Sequence, residues 1–263
     1  MSMDKDYWHR QTAEKPLFPE LLWSRPENKR AAGKLLIIGG NSHGFAAPAE
    51  AYNEAVATGI GTARVLLPDT IKKLVGGILE HGEFAPSTKS GSFSKQSLAE
   101  FLDHSVWADG VLLAGDFGHN SETAIVMEQF AAKYPGQLTI AQDAADYFKD
   151  IPNIILNRPQ TTLVVSLAQL QKLCSTAKFP HAITFGMDLL HLIEALHELT
   201  TKYACSIITK QLATILVAHG GQISTTAQAQ DIEAWRIKTA AHAAVWQLQN
   251  PTKPFEALST TVI

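Results

Sequence analysis

Much that would constrain this chain from outside is missing from its sequence. Its 263 residues include only two cysteines, Cys174 and Cys205, far apart and without CxxC spacing. That pattern excludes a disulfide framework and suits buried thiols in a reducing compartment. No run of about 18 apolar residues is present, so no stretch reads as a membrane-spanning helix. Long basic runs are absent and the formal charge is −3, which argues against nucleic acid as the main ligand. The opening MSMDKDYWHRQ has no apolar core of signal-peptide length, and a cytoplasmic location is the expectation. Solenoid-period repeats and low-complexity segments are lacking as well. What remains is ordinary globular composition, 46% apolar and 18% charged, over a length that suits one large α/β domain.

The most informative stretch runs over residues 33–68, GKLLIIGGNSHGFAAPAEAYNEAVATGIGTARVLLP. A short apolar run at 35–38 bounded by Gly39 and Gly40 is a strand signal, and a polar loop follows to Gly44. The alanine-rich segment 46–58 reads as a helix with one small face, and 63–67 as a second strand. Strand, helix and strand with a tight first turn form the unit from which parallel sheets are wound. Residues 1–32 read as an N-terminal arm over a domain of residues 33–263. Further along, helices are expected at 69–79, with Asp69 as N-cap and Gly76-Gly77 weakening the end, and at 95–104, with 82–94 a loop between them. A strand at 110–114 leads through Gly115-Asp116-Phe117-Gly118 to a helix at 121–133 capped by Ser121.

Strands are expected at 138–141, 153–156 and 162–165, and helices at 166–173 and 188–202. The strands 206–209, 214–218 and 222–224 include a Gly220-Gly221 hairpin, and a last helix spans 231–248. This order predicts a mostly parallel central sheet flanked by helices with an antiparallel edge hairpin. Ligands in such sheets sit beyond the carboxyl ends of the strands. The residues to weigh there are Gly39, Gly40, Asn41, Gly44, Asp116, Gly118, Asp143, Asp146, residues 166–169 and Lys210. Each glycine turn offers backbone amides to a ligand or simply turns the chain, and Lys210 is a point charge for a phosphate or a solvated side chain. Asp143 and Asp146 fit a Mg²⁺ or ribose site, or a helix N-cap and first turn. His191, Glu194 and His197 are spaced along one helix but have no HExxH pattern, and no metal ligand is assigned.

These segments together resemble the ADP- or ATP-dependent NAD(P)H-hydrate dehydratase family, whose fold is ribokinase-like. The matching stretches, in the family's order, are IIGGNSHGFAAPAEAYNEAVATGIGTARVLLP, LLAGDFGHNSETA, TIAQDAADYF, SIITKQLATILVAHGGQI and QLQNPTKPFEAL. The resemblance implies an α/β ribokinase-like fold, ADP or ATP with Mg²⁺ as cofactor, a homo-oligomer, and phosphorylation of hydrated NADH or NADPH followed by loss of phosphate. It implies nucleotide contacts at Lys210 and Gly118 and substrate contacts at Gly39, Gly40, Asn41 and Gly44.

That chemistry needs glycine amides at a helix N-terminus to hold phosphate oxygens and an aspartate to take the hydroxyl proton. In the family both lie in a GTGD motif. A gap-free count places Ala234, Trp235, Arg236 and Ile237 there, and Ser166-Leu167-Ala168-Gln169 stands at the family's HPGE. A register shift of six would bring in Asp231, which is otherwise an N-cap. No catalytic residue is therefore assigned. Two function classes follow: a divergent dehydratase-like protein that still binds nucleotide with degenerate turnover, or a non-catalytic ribokinase-fold binding or oligomerisation module.

Overall fold

A computed structural model of the chain describes residues 5–75, 82–227 and 235–263. Strand β1 (Trp8–Gln11) and the short helix α1 (Pro19–Trp23), with its proline in the first turn, precede the strand–helix–strand unit. That unit is β2 (Lys34–Gly39), α2 (Ala46–Thr58) and β3 (Thr62–Pro68). In α2, Ala47, Ala51, Ala55 and Thr58 are buried, so the small side chains bring the helix close to the sheet. Gly59 in the left-handed conformation, φ +92°, ends it. After β3 a 3₁₀ turn (Asp69–Ile71) runs into α3 (Lys72–Val75), and β4 (Gly82–Ala85) joins the sheet.

The chain continues through α4 (Ser97–Trp107), β5 (Gly110–Gly115), α5 (Ser121–Lys133), β6 (Gln137–Ala141), a 3₁₀ segment (Gln142–Phe148), α6 (Asn153–Leu156), β7 (Thr161–Val164) and α7 (Leu167–Thr176). It ends with α8 (Leu189–Lys202), β8 (Ser206–Gln211), β9 (Thr214–His219), β10 (Gln222–Ala227), α9 (Trp235–Gln249) and α10 (Pro254–Thr260).

The sheet has the order β1-β10-β9-β8-β7-β6-β5-β2-β3-β4. From β8 to β4 every neighbour is parallel, whereas β9 runs antiparallel to both β8 and β10. The expected mostly parallel sheet with an antiparallel hairpin is what forms. Residues of β2 alternate between two cores. Leu36 and Ile38 pack on the side that holds Phe101, Phe130 and Leu196, and Leu35 and Ile37 on the side of Ala51, Ala240 and Ala244. Helices therefore cover both faces, and the strands, buried on each side, read as continuous apolar runs.

Four local expectations are corrected. Residues 153–156 form α6, not a strand: Leu156 N–H donates to Pro152 O at 2.9 Å, and a three-residue apolar run cannot separate a buried strand from a helical turn. Residues 82–85 are strand rather than loop, because β3 offers its edge and pairs Val65 with Gly82 in parallel. Asn120, one residue before Ser121, caps α5, its Oδ1 accepting from the amides of Glu122 and Thr123 at 2.8 and 3.3 Å. Asp69 lies within the 3₁₀ turn rather than capping a helix, and its carboxylate accepts from the Ser87 amide at 3.0 Å. The Gly76-Gly77 helix end and Asp231 lie outside the described residues.

Candidate functional site

The parallel strands β2, β5, β6, β7 and β8 end on one side of the sheet, and two separate groupings form there. The first is built from the glycine turns after β2 and β5. Gly39 has no room for a side chain: a Cβ would lie 2.4 Å from Gly115 O. Gly40, at φ +89°, donates to that same carbonyl at 2.9 Å. Asn41 ties the two turns together, its Nδ2 donating to Asp116 O at 2.6 Å while its Oδ1 accepts from the His43 amide at 2.7 Å. The Asn41 amide closes the loop on Gly44 O at 2.8 Å. The Asp116 carboxylate accepts from the Ala47 amide at 2.7 Å, so a protein anion already sits at the N-terminus of α2.

Gly118, at φ +73°, donates its amide to Asp143 Oδ2 at 3.0 Å, and Tyr147 O–H donates to Gly118 O at 2.5 Å. Burial raises the Asp143 carboxyl above its ordinary 3.8; the Gly118 amide opposes this, while the Asp116 charge adds to it. Its Oδ1 is buried without a hydrogen-bond partner among the described residues. Burial also pushes the Tyr147 phenol to about 12. Outside this pair lies a cavity of about 380 Å³, lined by Asn120, Asp143, Asp146, Tyr147 and Lys172 among others. Gly39, Gly40, Asn41, Gly44 and Gly118 are thus brought together, and most of their polar groups are answered by the protein itself. Asp143 does not cap the 3₁₀ segment, whose N-cap is Ala141.

Behind these turns runs a second network. Ser166 and Gln169 form a capping box at the start of α7. Gln169 Nε2 donates to Gln142 O at 2.7 Å and to Asp146 Oδ2 at 3.0 Å. Its Oε1 accepts from the Ser166 amide and from Arg236 Nη1, both at 3.1 Å. The guanidinium thus sits in the first turn of α9, lowered from 12.5 by burial and held up by Asp146 and then Asp143. Ile237, the next residue, is 1% exposed and packs in the core with Ala240 and Ala241. The S-x-x-Q box at 166–169 was legible from spacing alone as a helix start.

The second grouping surrounds Lys210. This lysine lines a cavity of about 550 Å³ at the end of β8, with Ser166, Phe185, Met187, Gln211 and Trp235. Gln211 Nε2 donates to Met187 O at 2.6 Å, while its Oε1 is buried with no hydrogen-bond partner among the described residues. His191, Glu194 and His197 have separate partners. His191 bonds Asp188 at 2.8 Å, Glu194 pairs with Lys5, and His197 stacks on Tyr7 with ring centroids 3.7 Å apart. Cys174 and Cys205 are buried, and burial pushes both thiols to about 12. Among the described residues no group of three or more His, Cys, Asp or Glu could hold a metal ion, and no helix is long and apolar enough to cross a membrane.

No protein-family model matches the chain, and no curated protein matches it. Its architecture, by contrast, is shared with solved structures. A ribokinase-like superfamily protein from Enterococcus faecalis V583 superposes with a TM-score of 0.72 at 14% identity, over 99% of this chain and 87% of that one. The fold is ribokinase-like. A protein from Streptococcus mutans gives a TM-score of 0.65 at 17% identity, over 90% and 82% of the two chains. The ADP/ATP-dependent NAD(P)H-hydrate dehydratase from Bacillus subtilis, co-crystallised with ATP and Mg²⁺, gives 0.64 at 10% identity, over 94% and 86%. Identities this low establish the shared ribokinase-like fold and nothing finer.

Proposed function

We propose that this is a dehydratase-like, ribokinase-fold protein that binds a nucleotide in the Lys210 cleft and does not dehydrate NAD(P)H hydrate. The observation that carries this reading is Arg236, fixed on Gln169 where the resemblance puts the anion-holding turn and its base. A guanidinium has no acceptor and stays protonated, so it cannot take a hydroxyl proton. The following position is Ile237, and its side chain is in the core. A second support is that the Gly118 amide, a nucleotide contact by resemblance, is held by Asp143.

The cleft itself fits a nucleotide's parts. Trp235 and Phe185 offer faces for a base, and Lys210 offers a point charge for a phosphate. Mg²⁺ would arrive on the phosphates with its waters, which requires no protein cage. Glycines 39, 40 and 44 and Asn41 frame the neighbouring substrate side of this reading. A cytoplasmic homo-oligomer with residues 1–32 as its arm completes it, and Trp23, 89% exposed on that arm, is available to a second copy.

The test is a thermal-shift titration with ADP and ATP, each with and without Mg²⁺, followed by a turnover assay on hydrated NADH. A ligand at 100 times its Kd adds about 2.7 kcal/mol to native stability, a readily measured rise in Tm. Saturable stabilisation by a nucleotide with no loss of hydrate is the expected result. Turnover would overturn the degenerate reading, and no rise at millimolar nucleotide would leave a non-catalytic module without this ligand.

A further inference from the structure

The amino ends of the same strands, away from both groupings described above, enclose a further cavity of about 400 Å³. Its walls include Gln137 and Ser206, the first residues of β6 and β8, and His219, the last of β9, together with Gln247 and Leu248 near the end of α9. Gln137 and Gln247 are both more than nine-tenths buried, with exposures of 9% and 6%. Each uses one end of its amide on the protein. Gln137 Nε2 donates to Ala244 O at 2.9 Å, and Thr162 Oγ1 donates to Gln247 Oε1 at 2.8 Å. Because a carbonyl can only accept, the first contact fixes the orientation of the Gln137 amide. In the orientations that the structure gives, an acceptor, Gln137 Oε1, and a donor, Gln247 Nε2, make no hydrogen bond to the described residues. Buried side chains of this kind are normally satisfied on both ends.

We propose that this cavity binds a flat, uncharged ring bearing an amide edge, a lactam or a carboxamide, whose N–H donates to Gln137 Oε1 and whose carbonyl accepts from Gln247 Nε2. The volume is that of a small-molecule site. Leu248 and Pro254 supply apolar walls for the ring faces. Charge selects against anions: among the described residues no lysine or arginine lines the cavity, and Asp109 does. His219 adds none, since burial lowers its imidazole below 6.5 and its Nδ1 lies 2.7 Å from Ser206 Oγ. The site is independent of the Lys210 cleft and does not rest on the nucleotide reading.

The probes are benzamide and uracil, with benzoate as the isosteric anion, followed by ¹H–¹⁵N spectra of glutamine side-chain amides in the full chain. Both amides are expected to shift the Gln137 and Gln247 resonances saturably at concentrations up to about 10 mM, and benzoate to bind at least ~10-fold more weakly. Gln137→Met removes the acceptor and should weaken both amides by roughly 10-fold. Pro251→Trp, an exposed substitution at the mouth that spares the core, should weaken them by at least as much while leaving the response to ADP unchanged. No shift at either glutamine, equal binding of benzoate, or amide binding that survives both variants would overturn the proposal.

Discussion

The two groupings at the carboxyl ends of the strands differ in who satisfies their polar groups. At the glycine turns the protein answers itself: Gly40 on Gly115, Asn41 on Asp116, Asp116 on the start of α2, and Gly118 on Asp143. At the Lys210 cleft, the side chains of Trp235, Phe185 and Lys210 border a cavity of about 550 Å³. The turns carry the closer likeness to family motifs, yet the cleft is where a ligand would gain most. An anion arriving at Gly118 must displace a carboxylate already held there, so its gain is a difference between two similar hydrogen bonds.

The sharpest way to break this contrast is at Gly39. A methyl group there meets Gly115 O at 2.4 Å, a backbone atom that cannot swing aside. Gly39→Ala should therefore lower stability by about 2–3 kcal/mol through overpacking. Urea unfolding would measure it as a lower midpoint at unchanged m. A loss under about 0.5 kcal/mol would show that the two turns are not locked together as their contacts imply. On the cleft side, Trp235→Ala should cost about 1–2 kcal/mol of nucleotide binding, from lost base stacking. Calorimetry with ADP would read this as a weaker Kd. If that variant bound normally and Gly118→Ala did not, the roles of the two regions would be reversed.

Arg236 stands between them and sharpens the comparison. Arg236→Met removes a charged donor from Gln169 and a counter-charge near Asp146, and about 1 kcal/mol of stability should go with it. The variant should gain no activity on hydrated NADH, because removing the cation supplies no base. Recovery of turnover would mean that Arg236 merely blocks an intact site.

The sheet was legible because its strands, buried on both faces, are short apolar runs set off by glycines, as at residues 35–38 and 110–114. Strand β4 was not, since GEFA has no alternation of its own and becomes strand only because β3 presents an edge. The close packing of the glycine turns could be anticipated from Gly39 and Gly40. Their closure could not: the contact between Gly118 and Asp143 spans 25 residues and depends on how β5 and β6 end side by side. Register put Trp235 at the GTGD position but gave no sign that it would line one cavity with Lys210, and the Arg236 contact with Gln169 joins two motif positions that the sequence separates by 67 residues.

The smallest expected effect tests whether Asp143 is the glycine turn's internal anion. Its carboxyl is raised above 3.8 chiefly by burial, so the native state holds this proton more tightly than the unfolded chain does. The stability it contributes is complete below about pH 3.8, and it is lost as pH rises through the higher native value. Above that value the folded protein carries a partly buried charge at a cost. Asp143→Asn has no proton to lose and keeps a carbonyl oxygen for the Gly118 amide. The variant should therefore gain on the parent as pH rises from about 4 to about 7, by less than the ~1 kcal/mol expected at Arg236. Urea midpoints of both proteins across that range would read the difference. A gap that stays flat with pH would remove the buried charge from the account. A gap that reverses, with the parent gaining towards neutral pH, would mean that the amides of the turn outweigh burial and that Gly118 holds its carboxylate as tightly as it would a ligand's phosphate.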